Sequence, residues 1–105
     1  MLAVTKLREL ARLIRSKNAG PFDLTIDIMF GDHEAYQRVR KSGVISADFI
    51  SALYHVTPAS VQITHVDAAL AIKVSIPRPV PSGDLADSDV YGCQQYGPLV
   101  DIEVP

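Results

Sequence analysis

Apolar and polar residues alternate without interruption over FDLTIDIMF, residues 22–30, and this pattern restricts the fold more than any other in the chain. The residues on one side of an extended backbone are all apolar: Phe22, Leu24, Ile26, Ile28 and Phe30. Such alternation is typical of a β-strand that packs one face on a core and leaves the other partly polar. The polar side carries Asp23 and Asp27, about 13 Å apart, too far for a glycosidase carboxylate pair. We expect Lys73, on another strand, to be their nearest cation.

Three other segments show helical spacing. One is predicted to form an amphipathic helix from about Thr5 to Ser16, with its apolar side made by Leu7, Leu10, Ala11 and Ile14. Residues 31–43 run from acidic to basic, the order that a helix dipole favours, and predict a second helix. Residues 45–56 predict a third, with Ser46 as its N-cap.

Strands are predicted at residues 60–66 and 68–76, with a turn near Asp67, and at residues 98–104. Between the last two lies a segment rich in proline, glycine and aspartate, which favours a long surface loop. Helices and strands do not alternate regularly along the chain. We therefore predict one α+β domain over residues 1–105, a ferredoxin-like sandwich of about four mostly antiparallel strands with helices on one face.

Composition excludes several classes of protein. The single Cys93 allows no internal disulfide and no multi-cysteine metal site. The N-terminal segment carries charges throughout and no apolar run approaches 18 residues, so we expect a cytoplasmic chain without a membrane span. The net charge is +4 over residues 1–18 and −6 over the rest, but no aromatic stacking pattern accompanies the basic part, and we expect no nucleic-acid binding.

The segment RSKNAG, residues 15–20, has two interpretations. Basic side chains followed by asparagine and glycine are common where a helix ends, because they suit its partial negative charge and its left-handed cap. The same residues also suit an anion site, with two cations and two neutral hydrogen-bonding side chains. The candidate ligand-binding residues here are Arg15, Ser16, Lys17, Asn18 and Gly20.

A second candidate region is the loop that precedes the last strand. Asp89, Tyr91 and Gln94 offer hydrogen-bonding groups that would orient a bound ligand, although a plain loop would have the same composition. The aspartates of this loop lack EF-hand spacing, and the three histidines are dispersed, so no metal site is predicted. No phosphate loop, dinucleotide fingerprint or nucleophile elbow occurs, and no cofactor or catalytic residue is predicted.

Three unusual strings, RSKNAGPF, KVSIPRPVPSG and DVYGCQQ, identify the chain as resembling the Domain of Unknown Function 4387 family over nearly its whole length. That family is similar to the C-terminal domain of acyclic terpene utilisation (AtuA-like) proteins. The corresponding loop of that domain reads Arg-Ser-Gly-Asp-Lys-Gly; this chain keeps Arg15, Ser16 and Gly20 and differs between them. The resemblance implies a ferredoxin-like fold and a larger AtuA-like protein as partner.

Three hypotheses about function follow. In the first, which the resemblance implies, the chain is the small subunit of a two-component enzyme of lyase or hydratase type that acts on branched carboxylic acids or their CoA thioesters. It is then not catalytic alone, and its loops contribute to a shared pocket. In the second, it is a self-sufficient, oligomeric carboxylate-binding domain or small enzyme. In the third, it is a structural assembly module that forms oligomers through the polar face or the edge of its sheet. The slightly high mean hydropathy of +0.15 supports the first hypothesis, because a partner chain would cover some of the apolar surface.

Overall fold

A computed structural model describes residues 4–20, 22–77 and 99–105 of the chain. The strands, in chain order, are β1 (Thr5–Lys6), β2 (Ala11–Asn18), β3 (Asp23–Phe30), β4 (Gln62–Val66), β5 (Ala71–Pro77) and β6 (Glu103–Val104). The helices are α1 (Leu7–Leu10), α2 (His33–Ser42) and α3 (Ala47–Tyr54), and short 3₁₀ turns lie at Pro58–Ser60 and Asp67–Ala69. No helix in these ranges is long and apolar enough to cross a membrane.

Strands β2, β3, β5 and β4 form one antiparallel sheet in that spatial order. The central strand β3 pairs with β2 on one side and β5 on the other, so that Ile26 lies between Ser16 and Val74. The predicted α+β class with four antiparallel strands is confirmed. The order of elements within it is two hairpins flanking a helix pair, which differs from the β-α-β-β-α-β order of ferredoxin-like domains.

The hydrophobic core lies between the helices and one face of this sheet. Strands β3 and β5 contribute Leu24, Ile26, Ile28, Phe30, Ile72, Val74 and Ile76 to it. Helices α2 and α3 contribute Tyr36, Val39, Ile50 and Tyr54. The predicted inward face of β3 is therefore confirmed at Leu24, Ile26, Ile28 and Phe30. Exposed Phe22 is the exception, since it precedes the first residue of β3.

The predicted helix from Thr5 to Ser16 is wrong. Only the single turn α1 is helical, and residues from Ala11 onward form the edge strand β2. A helix of this length is marginal in water without tertiary support, whereas pairing with β3 satisfies a whole row of backbone groups. Ile14 does not distinguish the predicted helix from the observed strand, because its side chain is on the apolar side of the former and packs against the core from the latter.

The other predicted helices are confirmed, and their ends follow capping rules. Asp32 accepts a hydrogen bond from the Ala35 amide at 2.7 Å, and the Ser46 hydroxyl accepts one from the Phe49 amide at 3.1 Å. Gly43 closes α2 with a φ of 69°, a left-handed conformation that glycine adopts without strain.

The predicted strands at 60–66 and 68–76 are also confirmed, as is the turn at Asp67. The predicted last strand is shorter than expected. Of its described residues, 99–104, only Glu103–Val104 forms a strand, and it pairs with β1 in a separate two-stranded sheet. The predicted long loop lies outside the described residues, apart from Pro77.

Candidate functional site

The sheet has a second face, opposite the core, which no helix of the described ranges covers; we name it the open face. Directly paired residues of neighbouring strands point to the same side of a sheet, so the register defines what this face presents. An apolar row holds Leu13, Met29, Ala71 and Val66. A charged row beside it holds Arg15, Asp27, Lys73 and Thr64. A polar row follows, with Lys17, Thr25, Ser75 and Gln62.

Asp27 is the buried centre of the charged row. Its relative exposure is only 7%, although it lies on the face away from the core. The Arg15 Nε donates a hydrogen bond to Asp27 Oδ2 at 3.2 Å, which compensates part of the cost of removing this carboxylate from water. Asp27 in turn holds the Arg15 guanidinium over the sheet.

Two cations of this row keep donors available for a ligand. The Arg15 side chain is 55% exposed, and among the described residues only its Nε has a hydrogen-bond partner. Lys73 lies opposite Asp27 on β5 and forms no ion pair or hydrogen bond within the described parts of the chain. Arginine and lysine together outnumber the one carboxylate, so the row carries a surplus positive charge that favours an anion.

A depression with a volume of about 210 Å³ opens beside these cations; we name it the charged pocket. It is lined by Arg15, Asp27, Met29, Val66, Ala69, Ala71 and Lys73. One end is therefore cationic, and the floor is apolar. This combination fits an anion that carries a short apolar group.

A second depression, of about 320 Å³, lies on the same face near the β2–β3 turn; we name it the polar pocket. It is lined by Ala19, Asp23, Thr25, Ser60, Gln62, Ser75 and Ile76. Hydroxyl and amide groups dominate this lining, and its single charged side chain is a carboxylate. The two pockets thus have different chemistry on one continuous surface.

Strand alternation divides the first group of candidate residues. Arg15 and Lys17 project from the open face, whereas Ser16 and Asn18 lie on the core side. Ser16 is only 4% exposed. Gly20 lies in the β2–β3 turn with a φ of 103°. The interpretation of this segment as a helix end is wrong, because no helix ends there. The binding role of the five residues stays a prediction, and Arg15 has the geometry for it.

The second group of candidates, Asp89, Tyr91 and Gln94, lies outside the described residues. Sequence reasoning missed the apolar floor of the charged pocket, made by Met29, Val66, Ala69 and Ala71. A signal for it existed, because Ala69, Ala71 and Lys73 share the non-core side of β5 in the sequence pattern. Lys73 does lie opposite Asp27, as expected, but the ion pair of Asp27 within the described ranges is with Arg15.

Histidines are absent from the part of the open face that the structure describes. His65 pairs with Ile72 and lies on the opposite side of β4, while His33 belongs to α2 and His55 caps α3. Across residues 4–20, 22–77 and 99–105, no three metal-ligating side chains come together.

Three side chains with a shifted pKa, Tyr36, Tyr54 and Asp67, lie on the helix side of the sheet. Tyr36 donates a hydrogen bond from its hydroxyl to Asp67 Oδ1, and Arg40 Nη1 donates to the same oxygen at 2.8 Å. The bond from Tyr36 lowers the pKa of Asp67, with a smaller contribution from the charge of Arg40. Burial raises the pKa of Tyr36 and also that of Tyr54.

Comparison with known protein families shows which family this chain belongs to. The model of one family, described as Domain of unknown function (DUF4387), matches residues 7–103. The chain belongs to this family. The match spans both pockets and every described strand of the main sheet, so the open face is part of the DUF4387 domain itself. No curated protein and no solved structure matches the chain. The similarity of the family to AtuA-like proteins stays a prediction.

Proposed function

We propose that this DUF4387 domain is a cytoplasmic accessory subunit, or accessory domain, that holds a small carboxylic acid on its open face for a larger AtuA-like enzyme. The observation that carries the proposal is the charged pocket. Arg15 and Lys73 present donors without partners among the described residues, beside an apolar floor. A carboxylate with a short, branched hydrocarbon group matches both parts of this lining.

Size and charge favour an acid over larger anions. A volume of about 210 Å³ lies below the range of roughly 300–1,000 Å³ that drug-sized ligands occupy. The floor offers no polar groups to a phosphate, and Asp27 opposes a second negative charge. A CoA thioester is therefore expected to place only its acyl end here.

The groups on the open face support a division of labour between two proteins. Arg15, Asp27 and Lys73 can orient a carboxylate, but the described part of this face carries no histidine to act as a general acid or base. Several side chains of this face, among them Leu13, Lys17 and Thr64, are also exposed to water. An enzyme subunit seated over this face would supply further reactive groups and the cover.

Binding by the chain alone tests the carboxylate part of the proposal. Titration of 4-methylpentanoate by NMR should perturb amides of β2, β3 and β5 around Arg15, Asp27 and Lys73. Arg15→Met and Lys73→Met should each weaken binding by about tenfold, because each loses a charge-assisted hydrogen bond. Lys41→Met is the matched control, since Lys41 is an exposed cation on α2, on the opposite side of the sheet. Equal affinity of the wild type and the three variants for 4-methylpentanoate would refute the assignment of the carboxylate to Arg15 and Lys73.

Co-purification tests the accessory part. The chain should form a stable complex when it is produced together with a larger AtuA-like protein, and the double variant Leu13→Glu, Val66→Glu should weaken it. A chain that elutes alone beside the larger protein contradicts the accessory role, whatever the acid titration shows.

One observation favours a second function, assembly of identical chains. Leu13 and Val66, at the two ends of the apolar row, are 45% and 37% exposed, and exposed apolar side chains on both edge strands of a sheet suit self-association. Light scattering at several concentrations decides this, because a strict monomer at all of them removes the alternative.

A further inference from the structure

The charged and polar pockets are neighbours on the open face. Asp27 lines one and Thr25 the other, two residues apart on β3; Lys73 and Ser75 are related in the same way on β5. Residues two apart on a strand are about 7 Å from each other and point to the same side. A ligand of modest length therefore reaches from one pocket to the other.

The polar pocket has hydrogen-bonding capacity to offer such a ligand. The Gln62 amide and the Ser75 hydroxyl form no side-chain hydrogen bond within the described residues. Ser60 donates its hydroxyl hydrogen to the Thr57 carbonyl at 2.7 Å, which leaves its oxygen free to accept. The pocket thus offers donors and acceptors on three strands or turns around one depression.

Charge sets what the polar pocket admits. Its lining contains one ionisable side chain, Asp23, which is exposed at the start of β3. A second carboxylate or a phosphate placed here would meet this negative charge. A neutral amide or hydroxyl group would meet only partners for hydrogen bonds.

Building on the carboxylate site proposed above, we propose that the two pockets bind a single ligand, a monocarboxylic acid with one apolar arm and one neutral, amide- or hydroxyl-bearing arm. The carboxylate lies at Arg15 and Lys73, and the apolar arm covers Met29 and Ala71. The neutral arm reaches Gln62 and Ser75. This is the chemistry of an N-acylated amino acid with an aliphatic side chain, rather than that of a simple fatty acid.

Two probes that share the carboxylate and the isobutyl group separate the contributions. N-acetylglycyl-L-leucine carries an additional amide arm of about the required length, whereas 4-methylpentanoate has none. The wild-type chain should bind the first about tenfold more tightly than the second. Gln62→Met should reduce the affinity for N-acetylglycyl-L-leucine to that for 4-methylpentanoate and leave 4-methylpentanoate binding unchanged.

Thr64→Val is the matched control for this variant. Thr64 lies on the same strand and face as Gln62 but lines neither pocket, so the change should affect neither probe. Binding of 4-methylpentanoate with no gain for N-acetylglycyl-L-leucine overturns the two-armed ligand and leaves the carboxylate site standing. Failure of both probes to bind overturns the carboxylate site and the two-armed ligand together.

The role of Asp23 has its own test. N-succinyl-L-leucine carries a second carboxylate on the neutral arm and should bind the wild-type chain more weakly than N-acetylglycyl-L-leucine. Asp23→Asn should remove most of this difference, because it removes the opposing charge while keeping the hydrogen-bonding shape. A preference that is the same in wild type and Asp23→Asn shows that Asp23 does not select the arm and counts against the proposed placement.

Discussion

Asp67 joins helix α2 to the turn between β4 and β5 through one carboxylate. Tyr36, whose ring is buried in the core, and Arg40, one helical turn further along α2, both donate to it. The ring of Tyr36 also packs against Phe30 of β3, with centroids 5.9 Å apart. A single substitution at Tyr36 therefore affects both the position of α2 and the ionisation of Asp67.

Tyr36→Phe is expected to change how stability depends on acidity. The lowered folded-state pKa of Asp67 contributes stability that is present above its ordinary pKa of 3.8 and is lost as the pH falls through the folded value. Without the Tyr36 hydroxyl the shift shrinks, so the melting temperature should be lower at neutral pH and should fall less steeply on acidification. Thermal melts followed by circular dichroism should show this, with Tyr54→Phe as a control that does not contact Asp67. Parallel acid profiles of wild type and Tyr36→Phe would contradict the assignment.

Tyr54 gives the opposite dependence, at alkaline pH. Burial raises the pKa of its hydroxyl above the ordinary value of 10.0. The stability that the neutral hydroxyl contributes to the fold is therefore complete below pH 10 and is lost as the pH rises toward the pKa of the folded state. Wild-type stability should fall between about pH 10 and pH 11, and Tyr54→Phe should make the fall shallower. Chemical denaturation at a series of pH values measures this. An unchanged slope in the variant would mean that Tyr54 ionises freely in the folded chain.

At the scale of single elements, prediction from sequence succeeds where the apolar spacing fits either a helix or a strand but not both. The alternation of β3 is inconsistent with a helix, and the capping residues Asp32 and Ser46 agree with the helices that follow. Residues 5–16 carry apolar residues at helical spacing, but this local preference for a helix is weaker than the stabilisation gained when the segment pairs with β3 as its second neighbouring strand. That pairing depends on the register of strands that are distant in sequence, which no local pattern contains.

The strand assignment of β2 predicts contrasting effects at two adjacent residues. Ser16 is buried on the core side and Lys17 is exposed on the open face, whereas both would be exposed at the end of a helix. Ser16→Asp should destabilise the chain by about 2–4 kcal/mol, because it buries a charge on the core side of the sheet. Lys17→Asp should change the free energy of unfolding by less than about 0.5 kcal/mol. Urea denaturation measures both, and similar losses at the two positions would argue against the strand.

The same long-range register explains why the site was only partly predictable. Arg15 could be selected from its residue type and its place in a polar segment. The partners that give it a geometry come from separate strands: Asp27 from β3 and Lys73 from β5. Candidates chosen as neighbours in sequence are divided between the two faces of an extended strand, because Arg15 and Lys17 lie on the open face whereas Ser16 and Asn18 lie on the core side.

At the scale of the whole molecule, α2 holds the two ends of the described fold together. Arg38 donates to the Thr5 hydroxyl at 2.9 Å and to the carbonyl oxygens of Val104 at 3.4 Å and Pro105 at 3.1 Å. Beside it, the Leu7 amide donates to the Ile102 carbonyl at 2.9 Å. The small β1–β6 sheet is therefore anchored to the main domain by one guanidinium as well as by the buried side chains of Leu7 and Val104.

Arg38→Met should loosen this small sheet without unfolding the main one. The substitution keeps much of the aliphatic packing of the side chain but removes its donors to Thr5, Val104 and Pro105. Amide hydrogen exchange should become faster at residues 5–6 and 103–104 and remain unchanged at 24–28, because central strands open only with global unfolding. Lys41→Met on the same helix is the control, because among the described residues the Lys41 side chain forms no hydrogen bond or ion pair with β1 or β6. Faster exchange throughout β3 would show that the small sheet and the main sheet unfold as one cooperative unit, and unchanged exchange in β1 would show that its packing alone is sufficient.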